Sequence, residues 1–445
     1  MNKIESILER VFPRPRQFTL VLPNTVELPA QGDPAFRLIL HHPGSIRRMF
    51  APPLELSLGE AYIRGDFDIE GDILAAFPLL EGLGRRSFSL AELGSLAANL
   101  LLTPKDGSPP LQGRGAARLR GARHSRGRDR AAVQYHYYVG NEFYSLWLDP
   151  RMQYSCAYFP TGEEDLATAQ SLKLDHICRK LRLRRGERLL DIGCGWGGLA
   201  VYAAERYGAV VEGVTLSENQ AAYAKARISE LGLGRQVSIS LQDYRDLRGE
   251  PFDKIVSVGM FEHVGVDHLD EYFRHAQRLL KPGGLFLNHG ISRQSSISRS
   301  GRLGRGDGDA QSSFWSSWME RWILGPGSFS QRYVFPDGEL APVSQVNLVA
   351  EAAGFEVRDV ENLREHYALT LRHWVRGLEA RRQEAIQATD EVTYRTWRLF
   401  MAASAHGFES GWLNVNQTLL SKPEAGRSHL PFTHADLYQT AKAGH

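Results

Sequence analysis

The sequence predicts an α/β chain: a doubly wound, Rossmann-like parallel sheet preceded by a smaller N-terminal unit of mixed α and β character. Three observations carry that prediction. Short apolar runs alternate with helical patterns from residue 187 to 291, one intervening turn (LLDIGCGWGGLA) is dense in glycine, and residues 103–130 break the composition sharply. At 445 residues there is room for two or three domains, and 42% hydrophobic with 23% charged residues is an ordinary globular balance. Lys+Arg 53 against Asp+Glu 51 leaves +2, so no global field argues for nucleic acid, and none is expected as a partner. No uncharged apolar run approaches ~18 residues, and no secretory leader is expected. Three cysteines cannot make a disulfide framework and point to a reducing compartment, the cytoplasm.

Residues 1–102 form the first unit. FTLVLPNTVELPA and FRLILHH alternate like short strands, whereas LSLGEAYIRGDFDIEGD and LAELGSLAANLLL look helical. Residues 103–130, TPKDGSPPLQGRGAARLRGARHSRGRDR, have no apolar period and read as a flexible basic linker. Its arginines could face anionic lipid headgroups, although nine lysines against 44 arginines show that arginine is favoured throughout the chain. A second domain spans 131–420. Thr161 with Glu164 fits a capping box opening a helix with Leu166, Leu174, Ile177, Cys178 and Leu181 on one face. Strands are expected at 187–191, 209–215, 236–241, 253–259 and 284–291, with helices to Tyr207, at 218–231 and at 268–280. After a polar insertion at 292–312 come a helix near 343–353, the strand FEVRDVENL, and amphipathic helices from His366 to Leu420. Residues 421–445 read as a loose tail.

The glycine turn is the first chemical signal. Gly193, Gly195 and Gly198 satisfy the dinucleotide fingerprint, and Glu212 lies where a ribose-binding acid would stand. Asp191 tells against a dinucleotide, because a carboxylate at the strand end repels a pyrophosphate. It suits a cationic, phosphate-free ligand, and Asp191, Gly193, Gly195 and Gly197 give the D-x-G-x-G-x-G spacing of class I methyltransferases, which points to S-adenosylmethionine. Glu212 lies inside its strand and Thr215 at the end. Gln220 could reach back to a ribose hydroxyl, and Asp243 and Tyr244 are candidates beside the adenine. No metal site is read from the sequence. Three further segments, MQYSCAYF, VSVGMFEHVG and LFLNHGIS, set polar residues among apolar ones. The last two end strands on the same rim and would turn Glu262 and His289 toward the cofactor's methyl group, with Cys156 covering the site.

On YHYYVGNEFYSLWLDPRMQYSCAYF, LLDIGCGWGGLA, GVTLSENQ, LQDYRDL, VSVGMFEHVG, RYVFPDGELAP and REHYALTLRHW, the chain from about Tyr135 to Leu420 resembles the cyclopropane-fatty-acyl-phospholipid synthases, a family that includes the mycolic acid cyclopropane synthases. The resemblance implies a class I methyltransferase domain behind a lipid-binding N-terminal domain. It implies transfer of a methyl group from S-adenosylmethionine to a cis double bond of a phospholipid acyl chain, with ring closure after a bound bicarbonate removes a proton. By motif, the cofactor set falls on Tyr154, Ser155, Gly193, Gly195, Thr215, Leu216, Gln220, Asp243 and Tyr244. The bicarbonate set falls on Cys156, Glu262, His289, the backbone of Ile291, and Tyr367. Cys156, His289, Tyr367 and the Ile291 amide would donate hydrogen bonds, and Glu262 would accept the bicarbonate proton.

Tyr154, Tyr158, Phe261 and Tyr367 are the aromatics expected to steady positive charge. Two features depart from the family: the region 292–330 is longer, and the linker is unusually rich in arginine. FWSSWMERWILGPG sets Trp315, Trp318 and Trp322 at helical spacing beside Leu324, as an interfacial lid or a core helix would. Membrane phospholipid as partner, a homodimer, and peripheral attachment to the inner face of the cell membrane are implied as well. A methylene- or methyl-branched product, a small-molecule N-methyltransferase and a silent lipid-binding protein are the alternatives, since fold alone decides none of them.

Overall fold

Burial of alternate side chains organises the first of two compact units, which comprises residues 1–118, 296–336 and 374–412. The computed structural model describes residues 8–9, 11–12, 14–23, 26–51, 53–78, 94, 98–100, 102–103, 110–294 and 327–438. Strands β1 (Thr19–Val21), β2 (Glu27–Leu28), β3 (Phe36–Leu40) and β4 (Phe67–Gly71) form a sheet in the order β2-β1-β3-β4, with β1 parallel to β3. The stretch expected to be helical through Asp72 divides instead. A helix runs Leu54–Ile63, Gly65 turns the chain at φ +81°, and β4 follows with Phe67 and Ile69 buried. The period changes from helical to alternating at that glycine, and the strand wins because its two apolar residues fall on one face. The segment 90–102 lies largely outside the described residues.

The helix Glu391–Glu409 is buried along nearly its whole length, including two arginines. Arg395 donates to the carbonyls of Tyr62 and Phe67 and to the Asp68 carboxylate. Arg398 donates to the Tyr62 hydroxyl, to the carbonyls of Ile69 and Gly71, and to Glu379. Guanidinium groups thus satisfy sheet-edge carbonyls that would otherwise be buried without a donor. Residues 374–412, expected in the second domain, belong to this unit. Part of the linker is fixed here too: Leu111 and Arg64 exchange backbone and side-chain hydrogen bonds, and the Ala117 amide donates to Arg332 O.

The second unit comprises residues 119–295, 337–373 and 413–445. Its seven strands are β5 (Arg188–Ile192), β6 (Val210–Thr215), β7 (Val237–Leu241), β8 (Phe252–Val258), β9 (Leu280–Arg293), β10 (Glu356–Asn362) and β11 (Leu413–Ser421). Their order is β10-β11-β9-β8-β5-β6-β7. β5 to β9 are parallel, and β11 runs antiparallel between β9 and β10. Helices Leu166–Lys180, Gly198–Tyr207 and Glu218–Glu230 pack one face through Leu174, Ile177, Leu199, Ala224 and Ile228. Leu269–Leu279 and Val343–Ala352 cover the other through Phe273, Ala276, Val346 and Ala350. The order reverses at β5, so the carboxyl ends of β5 and β8 flank a natural ligand crevice.

Three local expectations change. β11 replaces the last part of the long helical segment: it is buried on both faces, and its Asn416 and Gln417 find partners in Ser292 and His289 of β9. The capping box at Thr161 is a turn closed by Glu164, and the helix begins later, with Asp165 accepting from the Thr168 amide. The linker's last residues are helical (Arg126–Tyr137), and Arg123, Arg126 and Arg128 pair with Glu339, Asp246 and Asp337 inside this unit. Those charges are therefore neutralised within the protein. Among the described residues no helix is long and apolar enough to cross a membrane.

Replacing Arg398 by methionine keeps much of the apolar stem and strands three acceptors and a carboxylate. It should cost about 3 kcal/mol or more. The thermal unfolding midpoint of the full chain should fall by several degrees, and an unchanged midpoint would contradict the role given to this residue.

Candidate active site

β5 delivers Asp191 to the crevice, and the chain then turns through Gly193, Gly195 and Gly197 at φ +81°, +55° and +78°. The amides of Gly193 and Cys194 both donate to Val214 O, which ties the turn to β6. A Cβ at Gly193 would lie 2.6 Å from the Met260 side chain, and one at Gly198 2.0 Å from Gln153 Nε2. Only glycine lets the turn and the following helix approach so closely. Asp191 is buried, and burial pushes its carboxyl up to about 7 against the pull of the Lys173 ammonium.

Two connected cavities lie against this turn. The outer one is lined by Thr215, Leu216, Gln220, Asp243 and Tyr244, all expected from the sequence, and by Asp129, Met260 and His263, which were not. The inner one is lined by Tyr154, Ser155, Asp191 and Gly195 together with Gln153, Lys173 and Trp196. Tyr137, Gln220 and Gly259 line both, so the two form one elongated site. Thr215 Oγ1 donates to Gln220 Oε1 at 2.9 Å, and Ser217 caps the helix that carries Gln220.

Asp243 accepts from the Arg245 amide and guanidinium. Burial would raise its carboxyl, but these bonds hold it below the usual range. Burial also raises the Tyr244 phenol. Rings of Tyr137, Tyr144, Trp147 and Trp196 crowd around Tyr154 or one another with centroids 5.0–6.4 Å apart. Of this aromatic box the sequence singled out Tyr154 alone.

A second group gathers at the carboxyl ends of β8 and β9. Glu262 sits in the turn after β8, and its Oε1 accepts from the Ile291 amide at 2.6 Å. That amide was expected to face a small anion, and it fixes the carboxylate instead. Glu262 Oε2 is buried with no protein partner among the described residues. Burial pushes this carboxyl up to about 7, moderated by the Ile291 amide.

His289 lies opposite Gln417 across β9 and β11, and the Gln417 amide donates to its Nδ1 at 3.2 Å. So assigned, the ring carries its proton on Nε2, and Nε2 is the second buried atom without a protein partner. Burial, reinforced by Lys173 and Lys180, drives His289 down to about 3, so the ring is neutral. Burial raises the Cys156 thiol far above its ordinary value, and its Sγ, with one proton to give, lies 3.2 Å from Ala157 O and 3.7 Å from Leu363 O. It is a neutral donor here and no thiolate. Burial likewise raises the Tyr367 phenol, with the charges of Cys156, Glu262 and Tyr137 adding to the effect, whereas the charged groups felt by His289 are Lys173, Lys180, Glu361 and His176.

Two expected aromatics are placed elsewhere. Tyr158 is stacked between His176 and His366 at 4.4 and 4.9 Å, so both ring faces are covered. Phe261 leans on Gly290, whose Cβ would meet its ring at 2.4 Å. It therefore lies on the face of β9 opposite His289, because successive residues alternate sides. Of the four, Tyr367 feels the Glu262 charge and Tyr154 lines the inner cavity. Trp315, Trp318, Trp322 and Leu324 lie outside the described residues.

Comparison with known proteins gives a consistent picture. Residues 124–418 match the family described as mycolic acid cyclopropane synthetase. A probable fatty acid methyltransferase of Pseudomonas putida is 40% identical over 408 residues, covering 91% of this chain and 92% of its own. The cyclopropane-fatty-acyl-phospholipid synthase of Escherichia coli K12 is 38% identical over 288 residues, 64% of this chain and 66% of its own. A solved mycolic acid cyclopropane synthase in complex with SAH and CTAB superposes with a TM-score of 0.59 at 35% identity, over 65% of this chain and 97% of that one.

Asp191 makes binding of a cationic cofactor depend on pH. With its carboxyl near 7 in the empty site, the charged form is present above that value and is lost as pH falls through it. Affinity for S-adenosylhomocysteine should fall by up to roughly tenfold per unit as pH drops below 7. Calorimetry on Asp191→Asn should show weak binding with no such acid limb. A limb surviving in that variant would assign it to another group.

Proposed function

This chain belongs to the mycolic acid cyclopropane synthetase family, and from that premise we propose that it adds carbon from S-adenosylmethionine across the cis double bond of an unsaturated phospholipid acyl chain, closing a cyclopropane ring. It is an S-adenosylmethionine-dependent methyltransferase of the cyclopropane synthase type, acting on lipid. The phospholipid, the ring and a bicarbonate base belong to the proposal. One observation carries it: Glu262 Oε2 and His289 Nε2 are buried without protein partners, on the rim that also presents the Asp191 turn. Two such atoms at the ends of neighbouring strands, β8 and β9, support a small polar occupant between them.

The cofactor, when bound, supplies an electrophilic methyl on a sulfonium. Asp191 would face its ammonium, Thr215 and Gln220 its ribose, and Asp243 with Tyr244 its adenine. An alkene has no proton to give up first, so the site needs orientation and charge stabilisation more than an initial base. Tyr154 and Tyr367 offer electron-rich ring faces, worth ~0.5–2 kcal/mol each toward a developing cation. Bicarbonate, when bound, supplies the base for the later proton removal. His289 Nε2–H, the Cys156 thiol and the Tyr367 hydroxyl would hold it as donors. Glu262, pinned on the Ile291 amide with Oε2 free and a carboxyl near 7, is suited to accept the proton next. Burial of all four side chains keeps water from competing.

Reversible contact with the inner membrane face, where the lipid would be reached, belongs to the same proposal. We also place a homodimer within this reading. A second outcome, a methyl- or methylene-branched chain, is favoured by the name of the P. putida relative, which matches nearly the whole chain.

The test is incubation with methyl-labelled S-adenosylmethionine and vesicles of cis-unsaturated phospholipid, followed by proton NMR of the released acyl chains. Upfield ring methylene signals are expected, and vinyl or branched-methyl signals would select the second outcome. Label confined to an amine would end the lipid reading. In the same assay Cys156→Ser, which keeps a donor, should retain activity within about tenfold, and Glu262→Ala should lose nearly all of it. Comparable losses in both would contradict the roles given to them.

A further inference from the structure

Lys173 is the buried cation that the scheme above leaves without work. It sits on the helix Leu166–Lys180, on the apolar stripe with Ala169, Leu174 and Ile177, and only 1% of it is exposed. Its Nζ donates to Gln153 Oε1 at 2.9 Å and to Ser155 Oγ at 2.8 Å. An ammonium has three N–H groups, and the third has no protein acceptor among the described residues. Ser155 Oγ accepts from Lys173, so its own hydroxyl proton is left to donate elsewhere. Both residues line the inner cavity beside Asp191, Gln153, Gly195 and Trp196. One wall of that cavity therefore carries a cation with a donor to spare and a hydroxyl with a donor to spare, and the strand end contributes an anion.

We propose that Lys173 and the Ser155 hydroxyl recognise the carboxylate of the cofactor's amino-acid end, with Asp191 taking its ammonium, so that the inner cavity is a receptor for a zwitterion. The inference rests on S-adenosylmethionine as the cofactor. The charges support each other in the empty site: Asp149, Cys156 and Asp191 favour the charged lysine against its burial, and Lys173 in turn favours ionised Asp191. A zwitterion brings one charge for each, so neither buried ion loses a partner when the ligand enters. Gln170 holds the same wall from behind, donating from Nε2 to the carbonyls of Gln153 and Ser155, so the two side chains are presented by a fixed backbone.

The experiment compares three probes by calorimetry: S-adenosylhomocysteine, its decarboxylated analogue, and 5′-methylthioadenosine, which lacks the whole amino-acid end. On the unmodified protein, loss of the carboxylate alone should weaken binding roughly tenfold to a hundredfold, as expected of a charge-assisted contact. In Lys173→Gln the affinity for S-adenosylhomocysteine should drop by a similar factor, while that for methylthioadenosine stays within roughly threefold. Equal affinity of the unmodified protein for the first two probes overturns the proposal, and that measurement needs no variant to fold. Equal losses for S-adenosylhomocysteine and methylthioadenosine in Lys173→Gln overturn it as well, because Lys173 would then merely brace the wall. Failure of the unmodified protein to bind any probe would instead remove the cofactor reading beneath it.

Discussion

A carboxylate taken out of water must be paired, hydrogen-bonded or protonated, and the second unit of this protein places two of them at neighbouring strand ends. Glu262 meets that constraint by halves. One oxygen is held by the Ile291 amide at 2.6 Å, and the other is sealed from solvent with nothing from the described protein against it. The hydrogen bond fixes where the free oxygen points, and burial brings its carboxyl near 7, so it can take or release a proton at small cost. Everything proposed about the chemistry depends on that half-satisfied group.

The surrounding architecture explains why the group can exist. Gly290 removes a side chain where Phe261 must press against β9, and the turn carrying Glu262 can then reach the strand. β11 inserts antiparallel beside β9 and brings Gln417 opposite His289, which sets the ring with one nitrogen satisfied and the other bare. Neutral His289, neutral Cys156 and neutral Tyr367 are donors that bring no charge of their own, which suits the anion proposed above. Around Asp191 the opposite strategy prevails, with full charges of both signs buried side by side. The inner cavity is thus ionic at its base, and Tyr137, Tyr154 and Trp196 supply its aromatic walls.

Much of this was legible in the residues, and the failures have physical causes. The β/α alternation from 187 to 291, the glycine turn, and Thr215 closing its strand all appear in the structure where periodicity and turn chemistry placed them. β11 was read as helix because its asparagines and glutamine dilute the apolar signal, and those polar residues are there for cross-strand partners that only the fold supplies. The arginine-rich stretch looked unstructured because its order comes from ion pairs with distant acids such as Asp246 and Asp337, which leave no local period. Lys173 was missed for a related reason: a lysine on an apolar stripe signals a buried charge only when its neighbours are considered as a wall. Tyr158 and Phe261 were nominated by composition alone, and composition does not record which ring faces are already covered.

The most direct test of the account is dependence of turnover on the small anion assigned to the Glu262–His289 pocket. Purified protein would be stripped of dissolved carbon dioxide, supplied with S-adenosylmethionine and cis-unsaturated phospholipid vesicles, and titrated with bicarbonate while ring formation is followed. The account predicts a low rate in stripped buffer that rises and saturates with added bicarbonate, and little response in a His289→Ala variant. Full activity without bicarbonate, unaffected by its addition, would contradict it.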